Sequence, residues 1–317
     1  MARSLELEST PAHGSAVALE LLRAMRPRQW IKNIFVFGAI VFSEQRLWTR
    51  PDRVLLVFGA FVLFCMTASA IYLINDLVDI EKDRAHPKKR NRPLAAGRLS
   101  PSVAIVAACV LLVVALPAAY LLDSVNGPDS GLLIVLLSYL LIQGMLYTYL
   151  LKHIVIVDIF TIAAGFILRA VAGAVVLDIE ITPWLLICMG LLALFLGLGK
   201  RRAELVLLEE GATDHRRILE EYSVPMLDQM MSIVTAATII AYTLFTFTAT
   251  TLPHEPYPVM MITIPFVVYA IFRYVYLIYH HQGGGSPEEL VLKDIPLALD
   301  IALWGVTVLV LLAIYRH

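Results

Sequence analysis

The residues best suited to chemistry form a row of side-chain oxygens in the segment N-D-L-V-D-I-E-K-D, residues 75–83. Asn75, Asp79 and Asp83 are spaced i, i+4 and i+8, and Asp76 precedes the last two by three and seven positions. If the helix continues past Ile74, these side chains share one face, where the carboxylates repel one another and need a cation. Hard oxygen ligands favour Mg²⁺, which is usually shared between one or two carboxylates and substrate phosphates. We therefore predict Asn75, Asp79 and Asp83 as magnesium ligands and Asp76, Asp79 and Asp83 as catalytic residues; a solvated acidic helix end is the alternative.

A dense group of cations follows the acidic residues. Residues 86–100 read H-P-K-K-R-N-R-P-L-A-A-G-R-L-S, and the prolines and glycine indicate a shaped loop. Alone, such a run is equally typical of a membrane-topology signal. Beside a metal it forms a clamp for phosphate, with the metal on one side and guanidinium or ammonium groups on the other. The predicted phosphate-binding residues in this loop are Lys88, Lys89, Arg90 and Arg92.

Further charged and aromatic side chains lie in or beside apolar segments. Asp158 and Arg169 fall inside one apolar run at i and i+11, near the same helix face. Because a charge inside a membrane span is costly, such residues face a cavity or each other, so a structural pair and a site role both stay open. Tyr147 suits either a sugar pocket or an interfacial anchor. The other candidate substrate-binding residues are Lys32, Lys152, Lys200, Arg201 and Glu204.

The chain that positions these residues is too apolar for a water-soluble domain. Of its 317 residues, 59% are hydrophobic and 16% are charged, whereas soluble domains have about 45–50% and 25%. The formal net charge of −1 indicates no nucleic-acid partner. Three cysteines in apolar runs form no disulfide framework. Composition therefore predicts an all-α polytopic protein of the lipid bilayer.

Nine apolar segments approach the length that crosses about 30 Å of hydrocarbon. Their predicted limits are 30–48, 54–74, 103–122, 132–151, 154–177, 183–199, 229–253, 256–279 and 295–315, of which the first is the weakest. With the N-terminus in the cytoplasm, 19 of the 25 Lys and Arg residues lie inside and 4 outside, in agreement with the positive-inside rule. The acidic and basic segments then share the cytoplasmic face. Residues 1–25 are expected to form an interfacial arm, and residues 26–317 one transmembrane domain.

The acidic motif at 75–83, followed by N-R-P-L-A-A-G at 91–97, resembles the UbiA-type intramembrane prenyltransferase superfamily. The resemblance implies nine helices around a central cavity, Mg²⁺ as the cofactor and a diphosphate donor. Ordinary prenyltransferases of this superfamily carry a second motif, D-x-x-x-D, where this chain has Lys200 and Glu204 in G-L-G-K-R-R-A-E. Fixed positive charge in place of a second set of metal ligands favours a donor with more phosphate groups.

Four more segments are similar to the phosphoribosyltransferase branch of that superfamily, which acts on decaprenyl phosphate. They are R-P-R-Q-W-I-K-N at 26–33, L-K-H-x-x-x-x-D at 151–158, F-I-L-R-A-V-A-G at 166–173 and K-R-R-A-E at 200–204. The resemblance implies transfer of 5-phosphoribosyl from phosphoribosyl pyrophosphate to a polyprenyl phosphate, with release of diphosphate, for cell-wall arabinan precursors. The implied location is the inner (plasma) membrane, and the sequence leaves a homo-oligomer open.

Two other functions stay open on the sequence. A Mg²⁺-dependent prenyltransferase of an aromatic or haem acceptor would share the first acidic motif, but its second motif is missing here. An ion-coupled transporter would need charges spread through the bilayer depth, whereas nearly all charges here lie at one face. The phosphoribosyl reaction also agrees with the lack of a Ser–His–Asp or Cys–His set, because a phosphate acceptor is anionic at neutral pH and needs no strong general base.

Overall fold

The computed structural model describes residues 14–85, 89–125, 131–209, 217–280 and 290–316 except 292. Every regular element in these ranges is helical. Eight helical segments in them are long and apolar enough to cross a membrane. They are Pro51–Val78, Pro101–Asp123, Gly131–Tyr149, Val157–Val175, Pro183–Val206, Val224–Thr248, Val259–His280 and Ile295–Tyr315. The predicted all-α membrane fold is confirmed.

The α-helices are numbered here in chain order. They are α1 Gly14–Ala24, α2 Gly38–Phe42, α3 Pro51–Val78, α4 Ile80–Ala85, α5 Pro101–Asp123, α6 Gly131–Tyr139, α7 Tyr147–Tyr149, α8 Val157–Val175, α9 Pro183–Glu209, α10 Val224–Thr248, α11 Ile264–His280 and α12 Ile295–Tyr315. The side chains of Ser100, Ser223 and Asp294 accept backbone N–H bonds at the starts of α5, α10 and α12, which is the usual way a helix begins. Shorter 3₁₀ helices connect several of these elements. Those relevant to the site are Pro27–Phe37, Lys89–Asn91, Leu151–His153 and Arg217–Glu221.

The predicted first span, residues 30–48, is not one long α-helix. The 3₁₀ helix Pro27–Phe37 has 11 residues and α2 adds 5. A 3₁₀ helix rises about 2.0 Å per residue and an α-helix about 1.5 Å, so the two together extend about 30 Å. The nine-helix count is therefore not confirmed, since eight described helices have standard spanning length and the ninth segment is this composite one. It packs against α3 and α8, and a β-carbon at Gly173 of α8 would lie 1.8 Å from the Val36 carbonyl oxygen.

The packing forms two main hydrophobic clusters. The first joins α3, α5, α6 and α8 around residues such as Phe64 and Leu136. The second joins α9, α10 and α11 around Phe195 and Leu227, and it includes Leu219 from the segment that precedes α10. Helix α8 packs on α9, so the polar side chains of these two helices meet where the two clusters adjoin.

Two local features of the backbone position the polar residues. Helix α3 ends at Val78, but the backbone hydrogen bonds continue from Asp79 N–H to Asn75 at 3.0 Å and from Asp83 N–H to Asp79 at 2.8 Å. The predicted row of oxygens therefore lies on an almost continuous helix, at what we call the aspartate end of the bundle. In the third long span, α6 runs into the π-helix Leu140–Leu146 before α7; π-helical turns are frequent at functional sites.

Candidate active site

Two of the three predicted catalytic aspartates are held by arginines. Asp76 and Asp83 are buried, and Arg92 donates to them at 3.1 and 2.6 Å. Arg26 also donates to Asp76. The repulsion that the sequence analysis assigned to a metal ion is therefore offset for these two carboxylates by guanidinium groups.

Asp79 differs from its neighbours because its carboxylate accepts no side-chain hydrogen bond from the described residues. Its side chain is 24% exposed, and its nearest cations, Lys82 and Lys152, both lie 3.9 Å from its oxygens. Asn75, one turn earlier, accepts a hydrogen bond from the buried Thr148 hydroxyl at 2.7 Å. Asp79 therefore directs Oδ2 toward Lys152 and Oδ1 toward Lys82, and neither oxygen accepts a side-chain hydrogen bond from the described residues.

The predicted magnesium ligands fit an open site and not a closed cage. Within the described ranges, no group of three His, Cys, Asp or Glu side chains is placed to hold a metal ion. Mg²⁺ commonly takes only one or two protein carboxylates and completes its shell with water and substrate phosphates. The two oxygens of Asp79 and the second lone pair of the Asn75 carbonyl meet that requirement. The third predicted ligand, Asp83, already accepts from Arg92 with one oxygen.

A second polar cluster connects α8 with α9. Asp158 and Arg201 are fully buried, and the Arg201 Nε donates to Asp158 Oδ2 at 2.6 Å. Arg201 also pairs with Glu204 and reaches the Tyr147 hydroxyl at 3.4 Å. The suggestion that Asp158 pairs with Arg169 is wrong, because α8 packs on α9 and presents Asp158 to Arg201.

Arg169 lies deeper in the bundle and is bound by neutral groups. It donates to Asn33 Oδ1 at 2.7 Å, to the Gly165 carbonyl at 2.6 Å and to the Tyr139 hydroxyl at 2.8 Å. No carboxylate of the described residues lies within 4 Å of it, and its guanidinium carbon is 4.9 Å from the centre of the Tyr139 ring. These contacts join α8 to the composite first segment, and a contact with substrate stays a prediction.

The remaining predicted phosphate-binding residues come from several segments. Lys88 lies outside the described residues. Lys89 belongs to a short 3₁₀ helix, and Arg90 beside it is exposed and makes no ion pair with the described residues. Lys200 is half-buried on α9, and its electrostatic neighbours are Lys32, Arg201 and Glu204.

The two clusters are connected by adjacent residues of α7. Thr148 donates to Asn75 of the first cluster, and Tyr147 accepts from Arg201 of the second. Both follow the π-helix directly, so this irregular turn sets which way each side chain points. The acidic row, residues 75–83, and the cationic segment of α9, which contains Lys200 and Arg201, therefore belong to one connected site.

Sequence reasoning missed three residues of this site: Arg26, Thr148 and Tyr222. Arg26 lies in the quoted segment 26–33 and has a left-handed φ of 55°, which no local pattern reveals. Tyr222 donates to Asp158, 64 positions away. Because these contacts depend on how distant segments pack, no spacing in the sequence identifies them.

Comparison with known proteins agrees with this architecture. The UbiA prenyltransferase family matches residues 34–289. A decaprenyl-phosphate phosphoribosyltransferase from Mycolicibacterium smegmatis is 37% identical over 314 residues, 95% of each protein. One from Corynebacterium glutamicum is 34% identical over 285 residues, 90% of this chain and 84% of that protein.

Solved structures show the same fold. A UbiA homologue from Archaeoglobus fulgidus bound to GPP and Mg²⁺ has a TM-score of 0.66 at 16% identity and covers 93% of this chain and 100% of its own. The family match spans most of the chain, and the two phosphoribosyltransferases named above align with it over 95% and 84% of their own length. This chain belongs to the UbiA prenyltransferase family.

Proposed function

We propose that this protein transfers 5-phosphoribosyl from phosphoribosyl pyrophosphate to a polyprenyl phosphate such as decaprenyl phosphate, and releases diphosphate. The observation that carries the proposal is the cationic segment of α9. Lys200 and Arg201 stand where ordinary prenyltransferases would have a second acidic motif, and Arg201 is joined to the acidic row through Tyr147 and Thr148. The identity of 37% to a phosphoribosyltransferase along 95% of the chain supports the same choice.

The residues of the aspartate end have separate roles in binding the donor. Mg²⁺, held by Asp79 and Asn75 with the donor's diphosphate, would supply a Lewis acid for the leaving group. Lys152, 3.9 Å from Asp79, then lies beside the phosphates. Arg92 keeps its bonds to Asp76 and Asp83 and adds positive charge to the same face.

The half-buried Lys200 suits the 5-phosphate of the ribosyl donor. It forms no hydrogen bond or ion pair within the described chain, and its charged neighbours include the Glu204 carboxylate and the Lys32 ammonium group. Glu204 offsets part of the repulsion between these two ammonium groups, and a phosphate monoester bound between them would offset more of it. Arg201 is already committed to Asp158 and Glu204, so we assign it to holding the site in shape.

The transfer itself needs no general base. An oxygen of the lipid phosphate attacks the anomeric carbon, the bond from that carbon to the diphosphate breaks, and the diphosphate leaves with the electron pair. No proton has to be removed, because the attacking oxygen is already anionic. Fixed cations stabilise the departing diphosphate, and removing one preorganised contact of this kind typically costs about 10²–10³ in rate.

The membrane brings the second substrate to the site. A polyprenyl phosphate stays in the bilayer with its phosphate at the surface. Helix α3, one of the eight described candidate spans, ends at Val78 within the acidic row, which supports a position of the aspartate end near one surface. We assign this end to the cytoplasmic side of the inner (plasma) membrane, because the Lys and Arg residues of the connecting segments cluster there. The product would serve as a precursor of cell-wall arabinan.

The decisive experiment incubates purified protein and Mg²⁺ with ribosyl-labelled phosphoribosyl pyrophosphate and a polyprenyl phosphate, and measures label in the lipid extract. Label should enter the lipid only when all four components are present. A parallel reaction with labelled prenyl diphosphate and 4-hydroxybenzoate tests the alternative prenyltransferase. Prenyl transfer in that reaction, together with no ribosyl transfer, would refute the proposal.

A further inference from the structure

A tyrosine outside the predicted site connects a polar segment to the second cluster. Tyr222 follows the 3₁₀ helix Arg217–Glu221 and precedes α10. Its side chain is buried, and its hydroxyl donates to Asp158 Oδ1 at 2.8 Å. The same hydroxyl oxygen accepts the backbone N–H of Ile156 at 2.6 Å. One hydroxyl therefore holds both the start of α8 and its first acidic residue.

The start of α8 needs this support. Ile156 has φ 69° and ψ −44°, and no side chain caps the helix at this position. A β-branched residue with positive φ is a genuine outlier, and such residues persist only where the surroundings hold them. Because Asp158 is two residues further on, any relaxation at Ile156 moves its carboxylate.

The hydrogen bonds of Asp158 connect the start of α8 to α9. Its two oxygens are divided between Tyr222 and Arg201, and the Arg201 Nε bond is 2.6 Å long. The other nitrogens of Arg201 contact Glu204 and Tyr147. The plane of the guanidinium is therefore set from one side by Asp158, and the orientation of Asp158 is set by Tyr222.

The ring of Tyr222 has a separate role in packing. It belongs to the hydrophobic cluster that includes Ile218, Leu219 and Leu227. A phenylalanine keeps that ring and removes only the hydroxyl. Burial, chiefly, and the bond to Asp158 raise the pKa of the Tyr222 phenol, so the group stays a hydrogen-bond donor at any working pH.

We propose that Tyr222 is a positioning residue, whose hydroxyl orients Asp158 and, through it, Arg201, the residue that holds the site for the ribosyl donor in shape. The inference rests on the proposed function and adds a determinant of donor affinity that lies outside every motif. Tyr222 acts through Asp158 and not on the substrate. Losing a hydrogen bond to a charged group commonly costs about tenfold or more in an equilibrium constant.

The test compares Tyr222→Phe with a matched control, Tyr242→Phe. The Tyr242 hydroxyl is also buried and makes two bonds, to Thr263 at 2.7 Å and to Trp304 at 2.8 Å, in a cluster away from the site. Tyr222→Phe should raise KM for phosphoribosyl pyrophosphate about tenfold and leave KM for polyprenyl phosphate within about twofold. Tyr242→Phe should leave both KM values unchanged. Both variants should show a similar, small decrease in Tm.

A double-mutant cycle with Asp158→Asn completes the test. If Tyr222 acts through Asp158, the double variant should have the donor KM of Asp158→Asn alone, whereas independent effects would multiply. A Tyr222→Phe enzyme with wild-type donor KM, or multiplied effects in the double variant, would overturn the inference. Wild-type protein without ribosyl transfer would instead refute the proposed function, so the two failures are distinguishable.

Discussion

The aspartates at the end of α3 should respond differently to the same amide substitution. Asp76 is buried between two guanidinium groups, whereas the Asp79 carboxylate accepts no side-chain hydrogen bond from the described residues, and its nearest cations there lie 3.9 Å away. We expect Asp79→Asn to remove activity and to leave stability unchanged. We expect Asp76→Asn to lower stability, because it leaves buried positive charge without its partner.

The expected magnitudes follow from these contacts. Removing one partner of a buried ion pair costs about 3–5 kcal/mol. Arg26 and Arg92 are each 29% exposed and Arg92 keeps Asp83, so Asp76→Asn should lie at or below the low end of that range. Asp79→Asn breaks no side-chain hydrogen bond among the described residues and weakens only two long ion pairs of 3.9 Å, so it should change stability by less than about 0.5 kcal/mol. Loss of a metal and diphosphate contact should lower kcat/KM by about 10²–10³, which is about 2.7–4 kcal/mol in the transition state.

Two measurements on each purified variant check this prediction. Transfer of labelled ribosyl to lipid gives kcat/KM, and tryptophan fluorescence during heating gives Tm. A magnesium titration shows whether Asp79→Asn also raises the concentration needed for half-maximal rate. Full activity of Asp79→Asn would refute the metal-binding role, and unchanged Tm for Asp76→Asn would refute the structural role of the arginine contacts.

Three further results are expected. Lys200→Glu should raise KM for the ribosyl donor at least tenfold and change KM for the lipid little; equal changes in steady-state assays would contradict a 5-phosphate site. Gly173→Ala should lower Tm or prevent folding, since its β-carbon meets a carbonyl oxygen at 1.8 Å, whereas Gly305→Ala, with nothing within 4 Å, should leave Tm unchanged or raise it. The hydrogen bond from Arg98 lowers the pKa of Glu20 below its usual 4.5, so the Tm advantage of wild type over Glu20→Gln should be full above about pH 5 and be lost as the pH falls through this lowered pKa. A pH-independent difference would show that another interaction is responsible.

The fold class and most of the spans were predictable because they depend on local composition. A run of about 20 apolar residues has few alternatives to a membrane helix, and eight of the nine predicted segments correspond to described helices. The first segment was harder, because a 3₁₀ helix reaches the same length with fewer residues. The row from Asn75 to Asp83 was also predictable, because i, i+4 spacing alone puts these residues on one helix face.

The partners of the charged residues were not predictable in the same way. Asp158 was compared with Arg169 on its own helix, but its partner, Arg201, comes from α9. Two of the three aspartates that were expected to need a metal bind arginines instead. Each of these outcomes depends on which faces of distant helices pack together, and a single sequence contains no signal for it.

The amino-acid sequence determines the local properties of the chain. These are the length of each apolar run, the spacing of the carboxylates along a helix and the charge of each connecting segment. Those properties were enough to indicate a bilayer protein with a phosphate-handling end. The tertiary packing determined the partners of the charged residues, because a buried carboxylate pairs with the cation that a neighbouring helix places within about 3 Å. Asp79 is distinguished from Asp76 only by that arrangement, although the two residues are chemically identical and three positions apart.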